Sequence, residues 1–195
     1  MTIASQNLIT SSKIRIIGGK WKNRKLLVPN IHNLRPSMDR VRTTLFNWLS
    51  SRNALYGYCL DAYAGTGVLG FEALSRGVSK VIMVDNNVAI TTLLQQQAGK
   101  LQLSTNEINI FTLTFPMQAL PVMLPFNLIF LDPPYRQNLL LPCCFYLAEN
   151  DMVAKDAHIY LAAEHAINNH DLPVDWNIIK VKRYGQTYLH LVKRA

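Results

Sequence analysis

DAYAGTGVLG, residues 61–70, carries the spacing G-x-G-x-x-G directly after a short apolar run (58–62) and before a helical pattern that reaches Arg76 and is closed by Gly77. Glycines at these places permit a tight strand-to-helix turn and let backbone approach a ligand closely. KVIMVD, residues 80–85, reads as the next strand, and its Asp85 stands twenty residues after Gly65. A carboxylate at that register can accept the two ribose hydroxyls of an adenosine cofactor. A tight turn beside an ordinary exposed aspartate would account for the glycines alone, but not for Asp85 in register.

Outward from this loop, strands and helices alternate. Residues 87–103 read as a helix, 108–113 as a strand, 126–132 as a strand and 139–148 as a helix. A strand over 157–164 and a hairpin over 176–194, turning near Gly185, complete the chain. This alternation predicts an α/β fold: a doubly wound, Rossmann-like parallel sheet with a closing antiparallel hairpin. In front, residues 13–28 form two apolar-rich arms around a basic turn with Gly18, Gly19 and Asn23, which predicts a small β-hairpin. A loop runs from Pro29 to Pro36. From Ser37, a plausible N-cap, the pattern turns helical, with Asp39 in the first turn and Val41, Leu45, Trp48 and Leu49 on one face. The expected division is a basic hairpin extension over 1–36 and a catalytic domain over 37–195.

The chain has 195 residues, nearly half of them apolar, enough to bury a sizeable core. It contains no long uncharged apolar run and no basic segment leading into an apolar block near its start, so neither a membrane span nor a secretion signal is expected. Cys59, Cys143 and Cys144 have no metal-ligand spacing, which predicts a reduced, cytoplasmic setting without zinc or disulfides. His158, His165 and His170 likewise read as structural or surface groups. The net charge of +8 is unevenly placed. Residues 1–52 hold ten basic groups against Asp39, and residues 180–195 hold five and no acid. The middle, 53–179, holds eleven acids against five basic groups. Basic ends around an acidic centre predict a polyanion held by the ends, with the chemistry between them. Ordinary solvated surface charge is the plainer alternative.

The second informative stretch is LIFLDPPYRQN, residues 128–138, where an apolar strand stops at Asp132-Pro133-Pro134-Tyr135. Ligands of such sheets lie beyond the carboxyl ends of the strands, so Asp61, Asp85 and Asp132 are expected to face one crevice. Pro133 and Pro134 lack N–H groups and fix φ, leaving a stiff turn with carbonyls free to accept. An amino group on a nucleobase offers two donors, which the Asp132 carboxylate and the Pro133 carbonyl can accept while Tyr135 stacks on the ring. Such a nitrogen is a poor nucleophile, so holding it in line with a methyl donor is the main expected contribution. A Pro-Pro turn that merely ends a strand is the plain alternative. The nature of the adenosine cofactor follows from charge. A dinucleotide would set a pyrophosphate beside Asp61, which repels it; S-adenosylmethionine carries a sulfonium and an ammonium, which Asp61 attracts.

These residues resemble the class I S-adenosylmethionine-dependent methyltransferases with a D/N-P-P-Y/F motif. More narrowly the chain is similar to the RsmD-type family of bacterial enzymes, which methylate N2 of a guanine (position 966 of 16S rRNA). The resemblance rests on IRIIGGKWKNRKL, LRPSMDRVRTTLFNWL, DAYAGTGVLGFEALSRG, VIMVD, FLDPPY and KRYGQTYLHLVKR, nearly the whole chain. It implies a cofactor loop of Asp61, Tyr63, Ala64, Gly65, Thr66 and Gly67, with Asp85 and Asn86 at the ribose. It further implies that Arg35, Pro36 and Ser37 lie near the methionine end, and that Asp132, Pro133, Pro134 and Tyr135 hold the guanine. Where the family often has Asn or Asp followed by Ala near the adenine, this chain has Thr114 and Phe115. The implied partner is 16S rRNA, within the small ribosomal subunit or an assembly intermediate, met by a monomer that flips the base out of its stack. Lys20, Trp21, Lys22, Arg24 and Lys25 suit RNA backbone and stacking, with Arg40 and Arg42 extending that surface. Trp21 equally suits packing. Two alternatives remain open from sequence: an amino-methyltransferase of DNA, and a noncatalytic RNA-binding assembly factor that keeps the fold.

Overall fold

In a computed structural model, residues 12–28, 39–122 and 124–195 are described. The expected loop over 29–36 and the sites Arg35, Pro36 and Ser37 lie outside them. The elements are β1 (Ser12–Arg15), β2 (Lys25–Val28), α1 (Asp39–Ser50), β3 (Tyr58–Asp61), α2 (Val68–Ser75), β4 (Lys80–Asp85) and α3 (Val88–Lys100). They continue with β5 (Ile108–Thr112), β6 (Phe126–Leu131), α4 (Leu140–Glu149), β7 (Val153–Ala163), β8 (Trp176–Tyr184) and β9 (Thr187–Arg194).

Seven strands form one sheet in the order β5-β4-β3-β6-β7-β9-β8. The first five are mutually parallel, while β9 runs antiparallel to β7 and β8. The chain lays down β3, β4 and β5 in one direction and then returns to place β6 on the other side of β3. That reversal opens a crevice at the carboxyl ends of β3 and β6, where Asp61 and Asp132 emerge. β7 starts earlier than its apolar pattern predicts, because the polar Lys155 and Asp156 interrupt it and Asp156 takes φ 61°.

Successive residues of the central strands serve opposite faces. Cys59, Val81, Met83, Leu128 and Phe130 face one core, built against α1, α2 and α3. Leu60, Ile82, Val84, Ile129 and Leu131 face the other, built against α4 with Cys143, Cys144 and Leu147. Burial on both sides explains why these strands read as continuous apolar runs.

The front hairpin is bonded into the first core. Ile14, Ile16, Trp21, Leu26 and Val28 join it. Ile17 N donates to Glu72 of α2 at 2.7 Å, Trp21 N to Ser75 Oγ at 2.9 Å, and Leu27 N to Gln97 of α3 at 2.7 Å. Arg42 of α1, fully buried, donates to the Arg15 carbonyl at 2.8 Å, pairs with Asp39 and lies 3.9 Å from the equally buried Glu72. Arg76 closes on Glu72 from the other side at 2.7 Å. The single acid of α2 thus receives two hydrogen bonds and faces two guanidinium groups, as a buried charge requires.

Candidate active site

The glycine loop is held by its own backbone and by two aspartates. Gly67, at φ 71°, precedes α2, and a Cβ there would fall 2.4 Å from Leu94 Cδ2. A Cβ at Gly70 would fall 2.5 Å from Met83 Cε, so this glycine lets α2 lie directly on β4. The N-cap residue Gly67 has no side chain to cap α2, and from the loop Thr66 Oγ1 makes only a long contact to Val68 N at 3.4 Å. Asp61 caps the first turn of α2 from the end of β3: its Oδ2 accepts from Gly70 N at 3.0 Å. A carboxylate is favoured there by the helix dipole. Asp85 accepts from Gly65 N at 3.0 Å and from Asn87 N at 2.9 Å, closing the loop against the start of α3. A carboxylate keeps further lone-pair directions beyond such contacts, so ribose hydroxyls can still be accepted.

Three carboxylates meet at this edge, and they feel one another. Burial pushes the Asp61 carboxyl up to about 7, helped by the negative charges of Asp132 and Asp85 and opposed by the Gly70 N–H. Burial also raises Asp132 to about 6. Asp85 is raised by burial in spite of its two backbone donors. Among the described residues no donor reaches Asp132, which keeps an opening toward solvent. A crevice with three such anions suits a cation and opposes a pyrophosphate. The residues therefore fit a cationic adenosine cofactor such as S-adenosylmethionine.

The remaining expected cofactor residues divide. Ala64 and Thr66 are buried in the turn, Ala64 N donating to Val84 O at 2.8 Å, and Asn86 stands exposed beside Asp85. Tyr63 packs against the second core, its hydroxyl donating to the Phe115 carbonyl at 3.1 Å and lying 2.8 Å from Cys143 Sγ. The Phe115 ring lies in the second core, edge-on to Tyr146 at 5.2 Å. Thr114 is exposed, its N–H donating to Gln118 Oε1 at 2.6 Å.

At the D-P-P-Y turn, Pro133 is buried and Pro134 exposed. Tyr135 is tethered by a hydroxyl contact to Thr187 of β9. Tyr160 lies buried nearby, its phenol raised by burial and then by the neighbouring Asp132 and Tyr135. Sequence reading did not single out the other walls. A cleft of about 210 Å³ beside Tyr135 is lined by Glu164, His165, Arg183 and Gln186. Arg183 lies over the Tyr188 ring, and Thr44 of α1 meets the Tyr184 hydroxyl at 2.6 Å. The closing KRYGQTY (182–188) therefore does more than end the sheet: it brings cations to the rim of D-P-P-Y.

The expected RNA-contacting residues are redistributed. Arg40 is exposed and acts electrostatically on Tyr184, on the D-P-P-Y side. Arg42 corrects the expectation: it is buried among Asp39, Glu72 and the Arg15 carbonyl and forms no surface. Trp21 is a packing residue, 7% exposed, with Lys20 Nζ 4.4 Å from its ring centroid. Lys20, Lys22, Arg24 and Lys25 are exposed on the hairpin. Its turn is bonded to Ser75, at the end of α2, and Lys20 to Glu107, just before β5. Those contacts lie at the amino-terminal edge of the strands, opposite D-P-P-Y.

The family described as "Conserved hypothetical protein 95" matches residues 14–193. The chain is 37% identical over 185 residues to "Ribosomal RNA small subunit methyltransferase D" of Escherichia coli (strain K12), covering 94% of this chain and 91% of that protein. It is 38% identical over 181 residues to the protein of the same name from Haemophilus influenzae, covering 89% and 90%. A solved structure from Escherichia coli, 33% identical, superposes with a TM-score of 0.80 over 94% of this chain and 98% of the other. With a class I methyltransferase fold and a match running nearly from end to end, the chain belongs to the RsmD-type family of ribosomal RNA small subunit methyltransferases.

Proposed function

We propose that this protein methylates the exocyclic N2 of a guanine in 16S rRNA, the family's guanine 966, with S-adenosylmethionine as methyl donor. The proposed setting is the cytoplasm, and the proposed substrate is the small ribosomal subunit or an assembly intermediate, met by a monomer. The observation that carries this reading is Asp132, raised by burial and without a donor among the described residues, at the head of a proline-stiffened turn beside the two carboxylates of the glycine loop. Relatives named as methyltransferases of small-subunit ribosomal RNA support the substrate class.

The cofactor, when bound, supplies a methyl group on a sulfonium leaving group. The chain's own residues do the rest. Asp85 and the glycine loop set the ribose, and Asp61 lies on the cationic side. The flipped guanine lies against Tyr135, whose tether to Thr187 fixes the plane of its ring. Asp132 accepts one N2–H and the Pro133 carbonyl accepts the other, which turns the nitrogen lone pair toward the methyl. Alignment and removal of water account for most of the acceleration, and the carboxylate polarises the N–H bond as positive charge develops. Attack precedes proton loss, so no strong base is needed, and Asp132 is placed to receive the proton afterwards.

The test is transfer of radiolabelled methyl to small subunits, naked 16S rRNA and duplex DNA, all prepared without prior methylation, followed by nucleoside analysis. N2-methylguanosine from the ribosomal substrates alone is the expected result. Label in DNA overturns the substrate assignment, and no label with RNA still bound makes the protein a noncatalytic binder.

A further inference from the structure

A second cleft, of about 240 Å³, lies between the front hairpin and the end of α3. Lys13, Arg24, Lys25 and Lys100 line it around Leu27 and Gln97, and no acid among the described residues does. Among the described residues none of these four cations has an ion-pair partner, whereas nearby Arg15 and Lys20 pair with Asp39 and Glu107. Lys100 ends α3, where the helix dipole favours a cation, but the other three come from the hairpin and have no such reason to converge. Gln97 adds an independent sign. It is 3% exposed, its Oε1 accepts from Leu27 N at 2.7 Å, and its Nε2 has no partner. An unmatched buried amide donor costs about 1–3 kcal/mol, and gathered like charges add repulsion. Both costs are relieved by an anion.

We infer that this cleft holds the phosphodiester backbone of the RNA substrate, at a point remote from the base that is methylated. The inference rests on the rRNA reading above. The open shape, apolar flank and four separated cations suit a chain of phosphates and riboses more than one free ion, which binds where N–H groups close around it. The position sets its role. Gln97 and Lys100 stand at the far end of α3, which starts just after Asp85, and 13 residues of helix span about 20 Å. A contact so far from D-P-P-Y reads no target base. It fixes register on a large substrate and is out of reach of a small fragment around the guanine.

Two variants test this with naked 16S rRNA as the probe. Lys13→Gln with Lys100→Gln removes two cations from opposite walls and leaves every residue of the crevice in place. KM for rRNA is expected to rise about tenfold and the slope of log affinity against log salt to flatten by about 2, with kcat and cofactor affinity unchanged. The charge-matched control, Lys80→Gln with Lys155→Gln, is expected to change KM less than twofold. Gln97→Glu keeps the contact to Leu27 and puts an anion among the four cations. It is expected to raise Tm while raising KM for rRNA, opposite movements that a purely structural glutamine would not give. Inorganic phosphate is expected to compete no better than chloride at equal ionic strength. Specific competition by phosphate would make the cleft a small-anion site and overturn the backbone assignment. Equal effects of cleft and control variants, or an unchanged KM in all of them while wild type forms N2-methylguanosine, overturn the cleft and leave the rRNA reading standing. A wild type that methylates no RNA, yet binds it with a salt slope that the double variant flattens, overturns the rRNA methylation reading and supports the cleft.

Discussion

Asp61 and Asp132 end adjacent parallel strands, emerge at the same edge and both titrate far above an ordinary aspartate, yet their surroundings differ. Asp61 is bound to the first turn of α2 through Gly70 N, so its charge is fixed in place by the fold. Asp132 leads into two prolines, which have no N–H to offer, and no described donor reaches it. One carboxylate belongs to a rigid electrostatic frame; the other is left with its acceptor capacity open. The difference teaches that a strand end can be either scaffold or site, according to whether the next turn supplies N–H groups.

The strongest way to break this comparison is to remove each carboxylate in turn. Asp132→Ala is expected to lower methyl transfer by about a thousandfold or more, the scale of losing a polarising, aligning group in a closed site, while cofactor affinity stays within about threefold. Equilibrium binding and single-turnover transfer, measured on the same preparation, separate the two. A parallel loss of cofactor would show that Asp132 is part of the frame. Asp85→Ala should do the reverse, weakening the cofactor about ten- to hundredfold through lost ribose contacts and a loosened Gly65 turn, with a smaller change in the rate at saturation.

Titration sharpens the contrast. Asp61 protonates at about 7 and Asp132 at about 6. A carboxyl whose folded pKa is raised disfavours the folded state once ionised; the penalty is full above the folded value and fades as pH falls toward the unfolded one. Thermal stability of the free protein is therefore expected to rise from about pH 8 to about pH 5. Asp61→Asn keeps an acceptor for Gly70 N, removes an anion from beside Asp85 and Asp132, and should raise Tm at about pH 8 while flattening that rise. Its cost is function: cofactor affinity falls and no longer increases through about pH 7, where the wild-type carboxyl ionises to meet a cation. An Asn variant with unaltered Tm and cofactor affinity would place the charge of Asp61 outside both roles.

Much of this frame is legible in the sequence because its causes are local. KVIMVD gives β4 from Lys80 to Asp85 without adjustment, and the glycine spacing places the turn, the helix and Asp85 together. What is not legible depends on distant partners. Arg42 sits one residue from Val41, and nothing nearby says that it turns inward; its reason is Glu72, thirty residues on. A signal exists in the sequence, since Glu72 is the only charged residue of VLGFEALS, and a buried acid demands a buried cation. Phe115 follows strand β5 as the family's adenine-side pair would, but Tyr63 and Tyr146 draw it into the core. The rim beside Tyr135 brings together α1, D-P-P-Y and the closing hairpin, across 140 residues in the case of Thr44 and Tyr184. The charge division is visible in the sequence, but not that Lys182 and Arg183, beside the Gly185 turn, stand at the opposite edge of the sheet from the front hairpin's cations.

The smallest expected effect concerns how stiff the open side of the comparison must be. The Tyr135 hydroxyl meets Thr187, and in the proposed function its ring stacks on the base. Tyr135→Phe keeps the ring and removes the tether, worth about 1 kcal/mol as a neutral hydrogen bond, so kcat/KM on rRNA should fall about fivefold. Thr187→Val removes the same tether from the other end and should match it. Because both substitutions delete one interaction, the double variant should be no slower than either single one. Losses that add would mean that the hydroxyl and Thr187 act separately, and the ring would then be held by the proline turn alone. Matching, non-additive losses would show that β9, far away in sequence, completes the stiffness that the two prolines begin.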